Sequence, residues 1–406
     1  MTQLHSSPAA VARVLALAWE FPPRIVGGIS RHVAELYPEI VALGYEVHLV
    51  TVEFGNAPSQ EVVEGIHLHR VPVAPGHDFF HWVVNMNESM GAYGGQLLSS
   101  GEFDLIHAHD WLVGDAAIAL KHTFKLPLIA TIHATEHGRH NGIHTDVQRH
   151  IHAKEYELAY NAWRIIVCSD YMRREICRIF AVPNDKVDVV YNGIRWQKKQ
   201  LNPRFDYGQF RRRFAADEEK IVYYLGRMTY EKGVSVLLNA APQVLATLNN
   251  QAKIVIIGGG QTGHLKAQAW DLGIAHKCYF TGFMPEQDLD RFQVIADCAV
   301  FPSLYEPFGI VVLESFAARV PVVVSDTCGL PEVVQHRKTG VVTYTNDSGS
   351  LAWGILEVLK NPDYGQWLVE NAYEDLSQRF QWSHLARQTR QIYQRVIQER
   401  SQTVWS

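Results

Sequence analysis

Short apolar runs alternate with helix-length segments along the whole chain, and no other property narrows the fold as much. In the first half the runs fall at 11–18, 47–52, 104–108, 126–132, 165–169 and 187–191; in the second at 221–225, 253–257, 278–281, 298–302, 321–325 and 340–343. Continuous apolar strands separated by helices belong to parallel sheets covered on both faces. The expected fold class is therefore α/β, with two doubly wound, Rossmann-like domains in succession. A chain of 406 residues also exceeds the roughly 250–300 at which a single core stops growing. Turn and linker chemistry over 191–207, including Asn192-Gly193 and Pro203, puts the boundary near residue 200. The domains are then 1–200 and 201–379. A helical tail, interrupted at Phe380, Gln381 and Trp382, has the pattern of a helix over about 380–406 that crosses back to the first domain.

Composition excludes several classes of partner. With 47% hydrophobic and 19% charged residues the chain is not disordered as a whole. A net charge of -5 gives no pull toward nucleic acid or anionic lipid, and the one basic run, Arg211 to Arg213, reads as a solvated helix face. The five cysteines, Cys168, Cys177, Cys278, Cys298 and Cys328, show no CxxC spacing and read as free thiols in a reducing compartment. No leader pattern and no apolar stretch approaching about 18 residues is present, so a cytoplasmic protein is expected. Oligomeric state is not readable.

Doubly wound sheets bind ligands beyond the carboxyl ends of their strands, so two such domains place the natural site between them. Four segments suit that position. The first, Glu20-Phe21-Pro22-Pro23-Arg24-Ile25-Val26-Gly27-Gly28-Ile29, leads into a helical pattern; its glycines let amides approach an anion, although a plain tight turn looks the same. The second runs from Gly226 through Arg227 and Lys232 to Gly233 at the end of a strand, where a planar fork and a point charge can neutralise a diphosphate without a metal. The third, Glu306-Pro307-Phe308-Gly309-Ile310-Val311-Val312-Leu313-Glu314, spaces two carboxylates around an apolar turn. If that turn opens a helix, amides of Gly309 to Val311 face phosphate while Glu306 and Glu314 take hydroxyls; simple dipole capping is the alternative. The fourth is His133 after an apolar strand, one of 20 histidines, most of them ordinary.

In this order and spacing, the segments resemble the retaining family-4 glycosyltransferases of GT-B fold, which include sucrose-phosphate synthases and stand close to the glycogen synthases. The likeness runs over nearly the whole chain, and Glu306 to Glu314 looks like the family's E-x7-E element. The resemblance implies that Gly27 and Gly28 contact donor phosphates, Arg227 and Lys232 the diphosphate, Glu306 and His133 the transferred hexose, and Glu314 the ribose. It places Phe283 and Met284 at the nucleobase and Phe308, Gly309, Ile310 and Val311 along the donor. It also implies retention through a front-face, oxocarbenium-like path served by charge stabilisers rather than a nucleophile. No cofactor or metal is expected, and Asp288-Leu289-Asp290 reads as a helix start rather than a metal motif.

The acceptor is less sharply marked. His107-Ala108-His109-Asp110-Trp111 resembles the HAHDW element of glucan synthases, with Asp110 and Trp111 bordering the acceptor, but the glucan synthases' Lys-Thr-Gly-Gly loop is absent. Arg24, Arg31, Arg139, Lys154 and Arg173 offer cations for a sugar phosphate such as fructose 6-phosphate, and this reading stands slightly ahead. The donor is expected to be UDP-glucose, with ADP-glucose as the alternative. A lipid-linked acceptor fits the acidic charge less well. A nucleotide-sugar epimerase, a glycan phosphorylase using pyridoxal phosphate and a non-catalytic sugar-binding module are the rivals from other classes.

Overall fold

The computed structural model describes residues 11–196 and 202–405, so the boundary expected at residue 200 lies outside the described residues. These form two compact units. The first takes the residues up to Cys168, then Met172–Asn192, then everything from Trp382 onward; the second takes Ser169–Tyr171 and Gly193–Gln381.

Among the described residues the first unit holds an eight-stranded sheet. Its strands are β1 (Arg13–Leu17), β2 (Glu46–Val52), β3 (Gln60–Val63), β4 (Ile66–Val71), β5 (Leu105–His109), β6 (Leu128–Ile132), β7 (Arg164–Val167) and β8 (Val187–Val189), in the order β3-β4-β2-β1-β5-β6-β7-β8. All pairs are parallel except β3 with β4. The order reverses at β1, and the loops that leave β1 and β5 therefore part to opposite faces and leave room for a ligand between them. The hairpin of β3 and β4 is an addition to the strands read from the sequence.

The second unit's sheet runs β11-β10-β9-β12-β13-β14, all parallel, from β9 (Lys220–Leu225), β10 (Ala252–Ile257), β11 (Cys278–Gly282), β12 (Cys298–Phe301), β13 (Val322–Ser325) and β14 (Val341–Thr343). Here the reversal falls at β9, between β10 and β12. The loops after β9 and β12 carry the Arg227–Lys232 and Glu306–Glu314 segments, so the topology itself brings these two stretches together.

Helix Gly28–Ala42 buries Ile29, Val33, Leu36, Tyr37 and Ile40, residues spaced by three or four, against the first sheet. Trp382, Leu385, Ala386, Ile392, Tyr393 and Val396 of the last helix join the same core. The preceding helix ends at Arg379 and the last begins at Trp382, the break expected at 380–382. The indole Nε1 of Trp382 donates to Glu35 at 2.7 Å, which pins the start of this helix to Gly28–Ala42. Replacing the fully buried Val396 by alanine removes two methyl groups and should lower unfolding free energy by about 2 kcal/mol. A urea midpoint unchanged from the parent would show that this helix contributes nothing to the core.

Candidate donor and acceptor sites

In the second unit, β9 ends at Leu225 and Gly226 continues with φ 158, after which a single 3-10 turn covers Tyr230–Lys232. Gly233 has φ 67, and a Cβ there would stand 1.9 Å from the carbonyl oxygen of Pro302, so only glycine lets this loop lie on the one after β12. That approach carries Lys232 to Glu306: Nζ donates to Oε2 at 2.7 Å, with side chains only 19% and 12% exposed. Glu231 accepts backbone bonds from Leu304 and Tyr305 through its carbonyl, at 2.8 and 3.2 Å, and so ties the two loops again. Arg227 is half-exposed and reaches Glu231 at 3.5 Å.

The loop after β12 does open a helix, Ile310–Ala317, with Gly309 at its N-cap in the left-handed region at φ 99. A helix start leaves its first amides without partners inside the helix, so Gly309, Ile310 and Val311 present donors and a partial positive charge. Phe308 is buried against Phe380, with ring centroids 6.0 Å apart, and Glu314 is buried on the second turn. Phe283 is 76% exposed beyond β11, next to Met284. Asp288 and Asp290 lie in helix Glu286–Gln293, where Asp288 pairs with Arg291 at 3.1 Å.

In the first unit the glycine loop is organised by a residue that sequence reasoning left unassigned. Glu20, almost fully buried, accepts from the amides of Val26 at 2.5 Å and Gly27 at 2.9 Å. Burial pushes its pKa up, while the loop amides and Arg24 pull the other way. The amide of Gly27 is thus already bonded, whereas Gly28 is exposed at the first position of its helix. Replacing Glu20 by alanine strands two amides and should destabilise the protein by about 1–3 kcal/mol. Chemical denaturation measures this, and a loss well below that range would mean that the loop does not depend on Glu20.

Asp110 follows β5 at φ 68, its amide donating to Thr131 at 2.9 Å, and is buried; burial raises its pKa to about 6 against the opposing charge of Arg139. Trp111, expected to border the acceptor, is also buried. His133 meets His109, Nε2 to Nδ1 at 3.3 Å, and burial holds its pKa well below the ordinary value. The five cations differ in their partners. Lys154 pairs with Asp115 at 2.9 Å and Glu157 at 3.2 Å. Arg139 lies 3.9 Å from Glu136, and Arg24 sits over the rings of Trp19, Phe54 and Trp82 at 5.3, 5.8 and 5.3 Å. Arg31 and Arg173 stand half-buried on separate helices.

Comparison with known proteins decides what this architecture is. The model for "Glycosyltransferase Family 4" matches residues 26–197, and that for "Glycosyl transferases group 1" matches 208–375. An uncharacterized glycosyltransferase of Methanocaldococcus jannaschii is 37% identical over 94% of this chain and 97% of its own length. The chain belongs to the family-4 glycosyltransferases. A protein of Mycobacterium tuberculosis named glycogen synthase is 33% identical to this glycosyltransferase over 94% of each chain. Sucrose-phosphate synthase from Thermosynechococcus elongatus superposes with a TM-score of 0.81 at 22% identity, covering 96% of this chain and 100% of that one, and the shared fold is GT-B.

Two further features of the glycosyltransferase escaped the sequence reading. Gly258, Gly259 and Gly260 leave β10 and lie against the loop after β9: Met228 donates to the Gly259 carbonyl at 3.0 Å, and a Cβ on Gly258 would stand 1.9 Å from the Gly226 carbonyl oxygen. Three consecutive glycines after an apolar strand were signal enough to find them. His32 packs against His109 and His133, and no local pattern announced that. Among the described residues, no helix is long and apolar enough to cross a membrane.

Proposed function

We propose that this glycosyltransferase moves glucose from a nucleoside diphosphate glucose to the end of a neutral α-glucan, with retention and without a metal ion. The observation that carries the reading is Lys232 held at 2.7 Å from Glu306, beside the helix start at Gly309, Ile310 and Val311. A leaving diphosphate meets there a fixed ammonium, the guanidinium of Arg227 and helix amides, groups that stabilise charge as it develops and need no metal. Glu306 then serves twice, orienting Lys232 and taking a hexose hydroxyl, while Glu314 takes the ribose; His133 takes a hexose hydroxyl in the first unit.

The neutral acceptor replaces the sugar phosphate first favoured because of how the cations are engaged. Lys154 is neutralised by two carboxylates, and Arg139 faces Glu136 and the buried Asp110. The Mycobacterium tuberculosis relative supports the same choice. A sugar-phosphate acceptor is kept as a second reading by Arg24, whose Nε is buried without a hydrogen-bond partner on the loop that leads to Gly28.

Nucleotide release by the purified protein tests both, with UDP-glucose and ADP-glucose each offered with glycogen or fructose 6-phosphate in the presence of EDTA. Release dependent on glycogen is expected. Release dependent on fructose 6-phosphate alone would transfer the assignment to the second reading, and conversion of the donor without any acceptor would point to an epimerase.

A further inference from the structure

We propose that His32, His109 and His133 form a binding site for a divalent transition cation of the zinc type, and that filling it inhibits transfer. The first half of this statement stands on geometry alone; the second rests on the role given to His133 under Proposed function. The three residues come from separate elements, helix Gly28–Ala42, the end of β5 and the residue after β6, and their ligating nitrogens all lie within 4.8 Å of one another. His109 Nδ1 and His133 Nε2 are 3.3 Å apart. Two imidazoles on a tetrahedral zinc, at about 2.0–2.1 Å each, stand about 3.3 Å from one another, so this pair already has the required spacing.

His32 supplies the independent observation. Its Nδ1–H donates to Oδ1 of Asn192 at 2.7 Å, an oxygen that can only accept, so the free lone pair is on Nε2. That nitrogen is buried and has no hydrogen-bond partner. The ring lies 4.8 Å from that of His133 and 5.3 Å from that of His109, between centroids. Ordinary core packing accounts for His107 and His109, whose nitrogens are bonded, but leaves His32 Nε2 unexplained.

The surroundings are those of ligating imidazoles. His109 Nε2 lies 2.6 Å from the Tyr37 hydroxyl, which is 3.2 Å from His107 Nδ1, and His107 Nε2 is 2.7 Å from Thr131 Oγ1. With His109 Nε2–H donating to Tyr37, Nδ1 is left with its lone pair toward the metal. His133 then ligates through Nε2 once its proton sits on Nδ1, a tautomer shift that releases no proton. Three imidazoles and a water select zinc, cobalt or copper over magnesium or calcium. A bound ion would hold the Nε2 of His133 away from the hexose, so the site is a place of inhibition rather than a cofactor site.

Cobalt(II) titration of the tag-free, full-length protein at neutral pH, followed by visible absorption, tests the site directly. One equivalent should develop the intense bands of tetrahedral cobalt, and excess magnesium should not displace it. His32→Gln should weaken binding at least tenfold, and His67→Ala should leave the spectrum as it was; His67 belongs to a separate group with Glu46 and His48. Absence of tetrahedral bands in the unmutated protein would overturn the proposal without recourse to any variant. So would bands that survive His32→Gln and vanish in His67→Ala. Zinc should inhibit nucleotide release in step with occupancy; binding without inhibition would overturn the second half alone and with it the role of His133.

Discussion

Lys232→Ala lowers kcat by about 10²–10³-fold, equivalent to ~3–4 kcal/mol of transition-state stabilisation, and changes KM for the donor far less. The expectation follows from how the ammonium is held. Lys232 leaves a 3-10 turn fixed by Gly233, is four-fifths shielded from solvent, and is oriented by Glu306 at 2.7 Å. A charge placed in advance next to a leaving diphosphate acts when negative charge develops there, so its loss is felt in turnover. Lys232→Arg keeps the charge and should recover part of the rate. Steady-state kinetics with saturating acceptor measure both variants, and an alanine variant within threefold of the parent would remove Lys232 from the chemistry.

Gly233→Ala acts through the backbone and should cost about 3–5 kcal/mol of stability, the range of severe single substitutions. A residue with a Cβ is strained at φ 67, and here the Cβ would also fall 1.9 Å from a backbone carbonyl oxygen. The carbonyl cannot retreat easily. The Ser303 carbonyl next to Pro302 accepts from Ser325 Oγ at 2.5 Å, and Leu304 and Tyr305 both bond to Glu231. Any shift that relieves the clash moves Glu306 away from Lys232, so folded variant molecules should also be slower. Gly259, with nothing within 4 Å of its would-be Cβ, is the matched control, and its alanine variant should stay within about 0.5 kcal/mol of the parent. Denaturant unfolding compares the two; equal midpoints would show that the close approach at Gly233 is not required.

The strands legible in the sequence were those whose burial on two faces makes them apolar throughout. β4 was missed because it sets His67, His69 and Arg70 among its apolar residues, and Arg70 is buried by bonding to the Pro58 carbonyl and Glu61 rather than by being apolar. β3, Gln60–Val63, is short and half polar and exists because it pairs with β4. The loops after β9 and β12 were legible for a different reason: a loop that must lie against another backbone uses glycine, as at Gly233.

The first unit's site was harder to read because its decisive contacts span long separations. His32 gains its meaning from Asn192, 160 positions away, and from two strands that present His109 and His133. Lys154, Arg139 and Arg24 show the same limit in reverse: the sequence does not announce the carboxylates and rings that stand beside them.

The most direct test of the central claim is the anomeric configuration of the glucosyl product, read by proton NMR, after reaction of an α-linked nucleoside diphosphate glucose with glycogen-derived oligosaccharide in EDTA. The account predicts an α-linked product formed at full rate without added metal. A β-linked product, or transfer that appears only when a divalent ion is supplied, would contradict it.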